Sequence, residues 1–193
     1  MTLRLILSGG IGSGKSAVAE LLAERGAEVI EADSVGHAIL EPGGDVFRDV
    51  AELWPQVVEN GRIDRRKLGR IVFADEAQLR RLEAITHPAI RARIAEAVTS
   101  STAAVIVVEL PILTDMLGPG WRRVIVDAPD AVRRGRLRAR GLDESEIARR
   151  MAAQPTRESW LAAADELLDN GGDLALLRRQ VDALVGRLWS INE

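Results

Sequence analysis

The sequence predicts an α/β fold, a three-layer sandwich around a parallel five-stranded sheet, and three observations predict it. Short apolar segments at 3–7, 27–33, 103–109, 122–127 and 164–169 alternate with helical stretches, as strands buried on both faces do. The first segment runs into Gly9-Gly10-Ile11-Gly12-Ser13-Gly14-Lys15-Ser16, and a helical stretch follows at once. Asp33, Glu109 and Asp127 close their segments, at the rim where open parallel sheets bind ligands.

The glycine stretch fits G-x-x-x-x-G-K-[ST], the phosphate-binding loop, at every fixed position. Gly9, Gly12 and Gly14 permit positive φ and let backbone N–H groups approach an anion. The helix predicted over 17–25 adds its free N–H groups and the positive end of its dipole. In this pattern Lys15 reaches the β and γ phosphates and the Ser16 hydroxyl ligates Mg²⁺. Of 26 basic residues only Lys15 and Lys67 are lysines, so lysine stands in the loop of a chain that otherwise prefers arginine.

Gly26 then stops the helix, and the second strand ends on acids. Asp33 has two readings: a carboxylate acting on an acceptor hydroxyl, or the N-cap of a helix over 34–40. From Pro42-Gly43-Gly44 to about residue 101 the pattern is helical with no convincing strand, over 46–53, 65–73 and 76–98, the last interrupted near His87-Pro88 by a break or kink. This block, 41–101, is expected to be an acceptor-binding lobe inserted in a single domain spanning 1–193. His87 reads as a local structural hydrogen-bonder before a substrate contact, and Trp54 and Phe73 as core before base-stacking platforms.

The strand over 103–109 is the clearest in the chain. Glu109 at its tip suits Mg²⁺ held through water, or is a carboxylate simply solvated at the rim. A fourth strand follows at 122–127, then arginines at 133, 134, 136, 138 and 140. Arg136 and Arg140 repel at their four-residue spacing, so the cluster predicts an anion, nucleotide phosphate under a closing lid over 128–160. A solvated basic face and an RNA patch are the alternatives. No aromatic residues interleave these arginines and the net charge is −3, which argues against nucleic acid. A short strand and turn at 164–172 and an amphipathic helix over 174–188 complete the chain.

The totals bound the function class. A chain of 193 residues, 47% hydrophobic and 28% charged, describes one globular domain, and the lack of cysteine removes thiol chemistry and Cys-bound metals. No apolar run reaches membrane-spanning length, and the expectation is a cytoplasmic protein with no membrane partner. No N-K-x-D guanine signature is present, which argues against a GTPase.

With these pieces set out, the chain resembles the dephospho-coenzyme A kinase family of nucleotide-kinase-like P-loop proteins. The likeness rests on the stretch from Ser8 to Ser16, Glu31-Ala32-Asp33, Ile63-Asp64-Arg65 through Val72-Phe73, and Ile85-Thr86-His87-Pro88. It continues with Pro111-Ile112-Leu113, Arg136, Arg140, Gln154, and Ala164-Asp165 through Asn170. The resemblance implies transfer of the γ-phosphoryl group of ATP, with Mg²⁺, to the ribose 3′-hydroxyl of dephospho-CoA. It implies that Gly12, Ser13, Gly14, Lys15, Ser16 and Ala17 bind the ATP phosphates, that Lys15 stabilises the transferring group, and that Ser16 and Glu109 hold the metal. Asp33 then acts on the acceptor hydroxyl, and Arg140, with Arg136, closes over the phosphates. The expected assembly is a monomer or weak homo-oligomer. The chain departs from the family pattern at Glu31 and Glu109, where Asp is usual, at Ser8 and Ala17, where Thr is usual, at Trp160, often Arg, and at Arg133, often Gln. Arg157 is a candidate replacement for the lid charge absent at 160. The alternatives are another small-molecule kinase of this architecture, or an ATP-binding paralogue with little activity.

Overall fold

A computed structural model describes residues 2–189. Five parallel strands form the main sheet: β1 (Leu3–Ser8), β2 (Glu28–Glu31), β5 (Val105–Glu109), β6 (Arg122–Asp127) and β7 (Glu166–Asp169), in the order β2-β5-β1-β6-β7. The order puts β1, which delivers the glycine loop, at the centre. Leu5 and Leu7 on one face and Ile6 on the other are all buried, as are Val105, Ile106, Val107 and Val108 of β5. Alternate residues of a strand point to opposite faces, so both faces of the sheet are covered. The first face packs against α1 (Lys15–Ala23), through Val18, Leu21 and Leu22, and α9 (Leu174–Trp189), through Leu177, Val181, Leu184 and Leu188. The i, i+4, i+7 spacing of the α9 residues is the stripe that its amphipathic sequence predicts.

The chain divides into two compact units. One runs up to Glu31 and resumes at Ser101; the other is Ala32–Ser100. The second unit holds α2 (Ala32–Ala38), α3 (Phe47–Leu53), a 3-10 turn at Pro55–Val57, β3 (Val58–Glu59), β4 (Arg62–Ile63), α4 (Arg65–Val72) and α5 (Glu76–Ser100). Its own core is built on Ile39, Val50, Trp54, Val57, Leu68 and Val72.

Several expectations need correction in this second unit. The stretch is not free of strands: β3 and β4 pair antiparallel across Asn60-Gly61, both at positive φ (50° and 75°). An Asn-Gly pair is the sequence that a two-residue hairpin turn of this hand requires. At His87-Pro88, where a break or kink is expected, α5 is not broken: it runs through Pro88 for 25 residues. A proline removes one ladder bond, and packing of α5 against α2, α3 and α4 holds the helix on both sides of the gap. Phe73 is not core; it is 80% exposed. Leu68 and Val72, four apart, take the buried line of α4, and Phe73 is the C-cap one residue beyond it. Trp54, at 2% exposure, is core as expected, and its indole N–H donates to Gln78 Oε1 at 2.9 Å. The second strand stops at Glu31, so Asp33 is neither a strand tip nor an N-cap. It lies in the first turn of α2, where a carboxylate meets the positive end of the helix dipole.

Candidate active site

The loop after β1 has the backbone its glycines predict. Gly9, Gly12 and Gly14 take φ of +150°, +78° and +96°, and Gly14 is the N-cap of α1. No side chain caps α1 and its first turn carries no acid. Inside the loop Ser13 N–H donates to Gly10 O at 3.1 Å, and the Lys15 ammonium donates to Gly9 O at 3.0 Å. The lysine is thus drawn back along the cradle it is expected to serve.

The glycines answer a second demand that the sequence does not display. A Cβ on Gly9 would stand 2.3 Å from the carbonyl oxygen of Val126, one on Gly12 2.9 Å from that of Arg133, and one on Gly14 2.1 Å from Asn170 Nδ2. The loop is packed on its outer side by β6, by α6 (Asp130–Ala139) and by the turn after β7. Arg136 donates to Gly12 O at 3.3 Å, Ser13 O at 3.0 Å and Asn170 O at 2.7 Å. Asn170 Nδ2 donates to Ser13 O at 2.7 Å. Arg133 Nε donates to Ile11 O at 2.9 Å, and Gln154 Oε1 accepts from Ile11 N–H at 2.7 Å. The contributions of Arg133 and Asn170 to this brace were not legible in the sequence, since each partner lies more than 100 residues from the loop.

The arginine cluster, expected to be uncompensated, is largely paired. Arg133 is 6% exposed and meets Asp130 at 3.2 Å. Arg134 and Arg138 share Glu144 of α7 (Glu144–Ala152), at 2.6 and 2.7 Å. Those two guanidiniums, Arg138 first, hold the Glu144 carboxyl below the usual carboxylate range. Arg136 is spent on loop carbonyls, so its direct approach to a phosphate requires those bonds to open. Arg140, the exposed C-cap of α6, keeps its guanidinium in solvent. Arg157, the candidate replacement for the missing lid charge, is paired with a carboxylate. It starts α8 (Arg157–Ala162) and grips Asp127 at the end of β6 through Nε and Nη2 at 3.0 and 2.5 Å, which raises the arginine's own pKa. Trp160 is 2% exposed, a core residue of α8.

At the carboxyl rim of the sheet Glu31 and Glu109 are register partners on β2 and β5. Among the described residues no group of three His, Cys, Asp or Glu stands ready to hold a metal. Magnesium does not ask for one: it binds through one or two carboxylates, substrate phosphate and water. A rim offering carboxylate oxygen at Glu109, and hydroxyl oxygen at Ser16 on α1, therefore has the donor chemistry that suits it.

The dephospho-CoA kinase family model matches residues 3–175. The chain belongs to the dephospho-CoA kinase family. A relative named dephospho-CoA kinase from Methylococcus capsulatus is 41% identical over 186 residues, covering 92% of each chain. Another of that name from Thermobifida fusca is 42% identical, covering 97% of this chain and 94% of its own. A crystallised Thermus thermophilus protein superposes with a TM-score of 0.87 at 34% identity, covering 97% of this chain and 98% of its own. The family match spans Ala32–Ser100 as well as the loop that many kinases share. No helix among the described residues is long and apolar enough to cross a membrane.

Proposed function

We propose that the chain transfers the γ-phosphoryl group of ATP to the ribose 3′-hydroxyl of dephospho-CoA, giving CoA and ADP, the final step of coenzyme A biosynthesis. The family match over residues 3–175 carries this reading. The amides of Gly12, Ser13, Gly14, Lys15, Ser16 and Ala17 cradle the phosphates, and the Lys15 ammonium neutralises charge on the group in transfer. Ser16 and Glu109 would hold Mg²⁺, which would offset the charge of the phosphates. Asp33 orients the acceptor hydroxyl and accepts its proton as the new P–O bond forms. Arg140 closes over the phosphates and excludes water from the transfer. Arg136 serves the nucleotide from behind, by fixing the carbonyls of Gly12 and Ser13 so that the loop's N–H groups face inward. The acceptor is received by the lobe over 41–101 and the lid spans 128–160; a monomer or weak homo-oligomer suffices, with no nucleic acid or membrane.

The test is an acceptor panel. With ATP and Mg²⁺, ADP is expected with dephospho-CoA and not with shikimate, gluconate, nucleosides or nucleoside monophosphates. ADP formed with one of those and not with dephospho-CoA overturns the assignment. Asp33→Asn is expected to lower kcat by about 10²–10⁴ while ATP affinity stays unchanged; equal turnover removes Asp33 from the mechanism.

A further inference from the structure

Ile11 sits at the tip of the phosphate loop, and both of its peptide groups are held by side chains from far along the chain. Its N–H donates to Gln154 Oε1 at 2.7 Å and its carbonyl accepts from Arg133 Nε at 2.9 Å. An N–H committed to a side chain is not offered to an anion, so the cradle begins at the next residue, Gly12. The peptide planes on either side of Ile11 are fixed by the same two bonds, and so is the direction in which the Gly12 amide points.

Both partners are themselves built to be still. Arg133 stands in the first turn of α6, 6% exposed, its guanidinium lying where a Cβ on Gly10 would fall at 2.4 Å, with Asp130 meeting its outer edge. Burying a charged group favours pairing its donors, and two of the five N–H donors of this guanidinium are spent on Ile11 O and Asp130 Oδ1. Gln154 lies between α7 and α8, its own N–H bonded to Met151 O at 3.2 Å. It lies beyond the end of α7, which packs against α6, and before α8, which packs against β6.

We propose that Arg133 and Gln154 are positioning residues for phosphoryl transfer, clamping Ile11 from both sides so that the amides from Gly12 onward are preset for the β and γ phosphates. The inference deepens the proposed kinase reading and rests on it for the turnover arm alone; nucleotide affinity reads the clamp whatever the acceptor. A preset cradle spends no binding energy on ordering itself, so its loss appears in affinity and turnover together.

The experiment compares Gln154→Leu, Gln154→Glu, Arg133→Met and their Leu–Met double variant in the full chain. Titration with Mg²⁺·ATP, kcat and KM with dephospho-CoA, and melting temperature are each measured. Gln154→Leu and Arg133→Met are each expected to weaken ATP binding about tenfold, the cost of roughly one charge-assisted or buried hydrogen bond, and to lower kcat. Gln154→Glu keeps the acceptor oxygen and is expected to restore most of the affinity. The double variant is expected to lose little more than the worse single, because both bonds act through one residue. ATP affinity and kcat within twofold of wild type in the folded single variants, whatever their melting temperatures, overturn the proposal. So does a fully additive double variant, or a Glu variant as weak as the Leu variant. Wild-type enzyme that binds ATP but ignores dephospho-CoA would instead sink the kinase assignment and leave the clamp to be judged on affinity.

Discussion

The phosphate-loop unit and the helical unit over Ala32–Ser100 are held together by different physics. Around the loop, polar side chains reach backbone groups more than a hundred residues away, as Arg136, Asn170, Gln154 and Arg133 all do. In the helical unit the polar bonds to backbone are mostly local. Asp64 caps α4 by accepting from Arg66 and Lys67 N–H, Asp75 accepts from Ala77 N–H, and Thr86 donates to Leu82 O one turn back. The long-range cohesion of that unit comes from the apolar cluster around Trp54, with side chain to side chain pairs such as Trp54–Gln78 and the bidentate Arg93–Asp45 ion pair added to it. A site that must aim amides at a phosphate needs directional bonds, whereas a lobe that must hold a shape needs only filled volume.

The contrast predicts where function and stability separate. Lys15→Ala is expected to lower kcat/KM by about 10²–10³, the scale for removing one charge-stabilising donor, with the melting temperature unchanged. Steady-state kinetics beside calorimetry reads this, and a parallel loss of stability would show that Lys15 also holds the fold. Trp54→Ala is expected to do the reverse, costing about 3–5 kcal/mol in denaturant unfolding while surviving folded enzyme keeps its ATP affinity. Weakened ATP binding in that folded fraction would break the separation of the two units.

Smaller effects sharpen the same point. The Asp64 carboxyl is held below its ordinary range, first by Lys67 N–H. Such a group stabilises the fold above its unfolded pKa and loses that contribution as pH falls through the folded one. Acid unfolding below about pH 4 is therefore expected to be less steep in Asp64→Asn than in wild type, at some cost in stability at neutral pH. Identical acid limbs would exclude the cap as a titrating element. Phe73→Ser is expected to change stability by less than about 0.5 kcal/mol, because the ring already stands in solvent. A larger loss by chemical denaturation would mean that the ring is covered in solution.

How much was legible follows the same division. The loop, its flanking strand and helix, the stop at Gly26 and the α9 stripe were readable because each is a local pattern with one physical solution. The hairpin at Asn60-Gly61 was readable in the same way but carries only two residues per strand, too few for an alternation to register. Phe73 misled because an apolar residue at a helix end has the composition of core without its direction. The arginine cluster misled more deeply. Sequence shows five like charges, but Asp130, Glu144 and the loop carbonyls that engage four of them lie on neighbouring turns and other elements.

The sequence by itself determined the glycine loop, the helix that starts at its end, and the Lys15 and Ser16 placed there, because glycine φ freedom and a helix start are properties of adjacent residues. Tertiary structure alone decided which arginines brace the loop, which pair with carboxylates, and that Arg140 faces solvent. Whether a guanidinium meets a carbonyl, an acid or water depends on what folding brings within 3 Å of it, and spacing along the chain does not encode that distance.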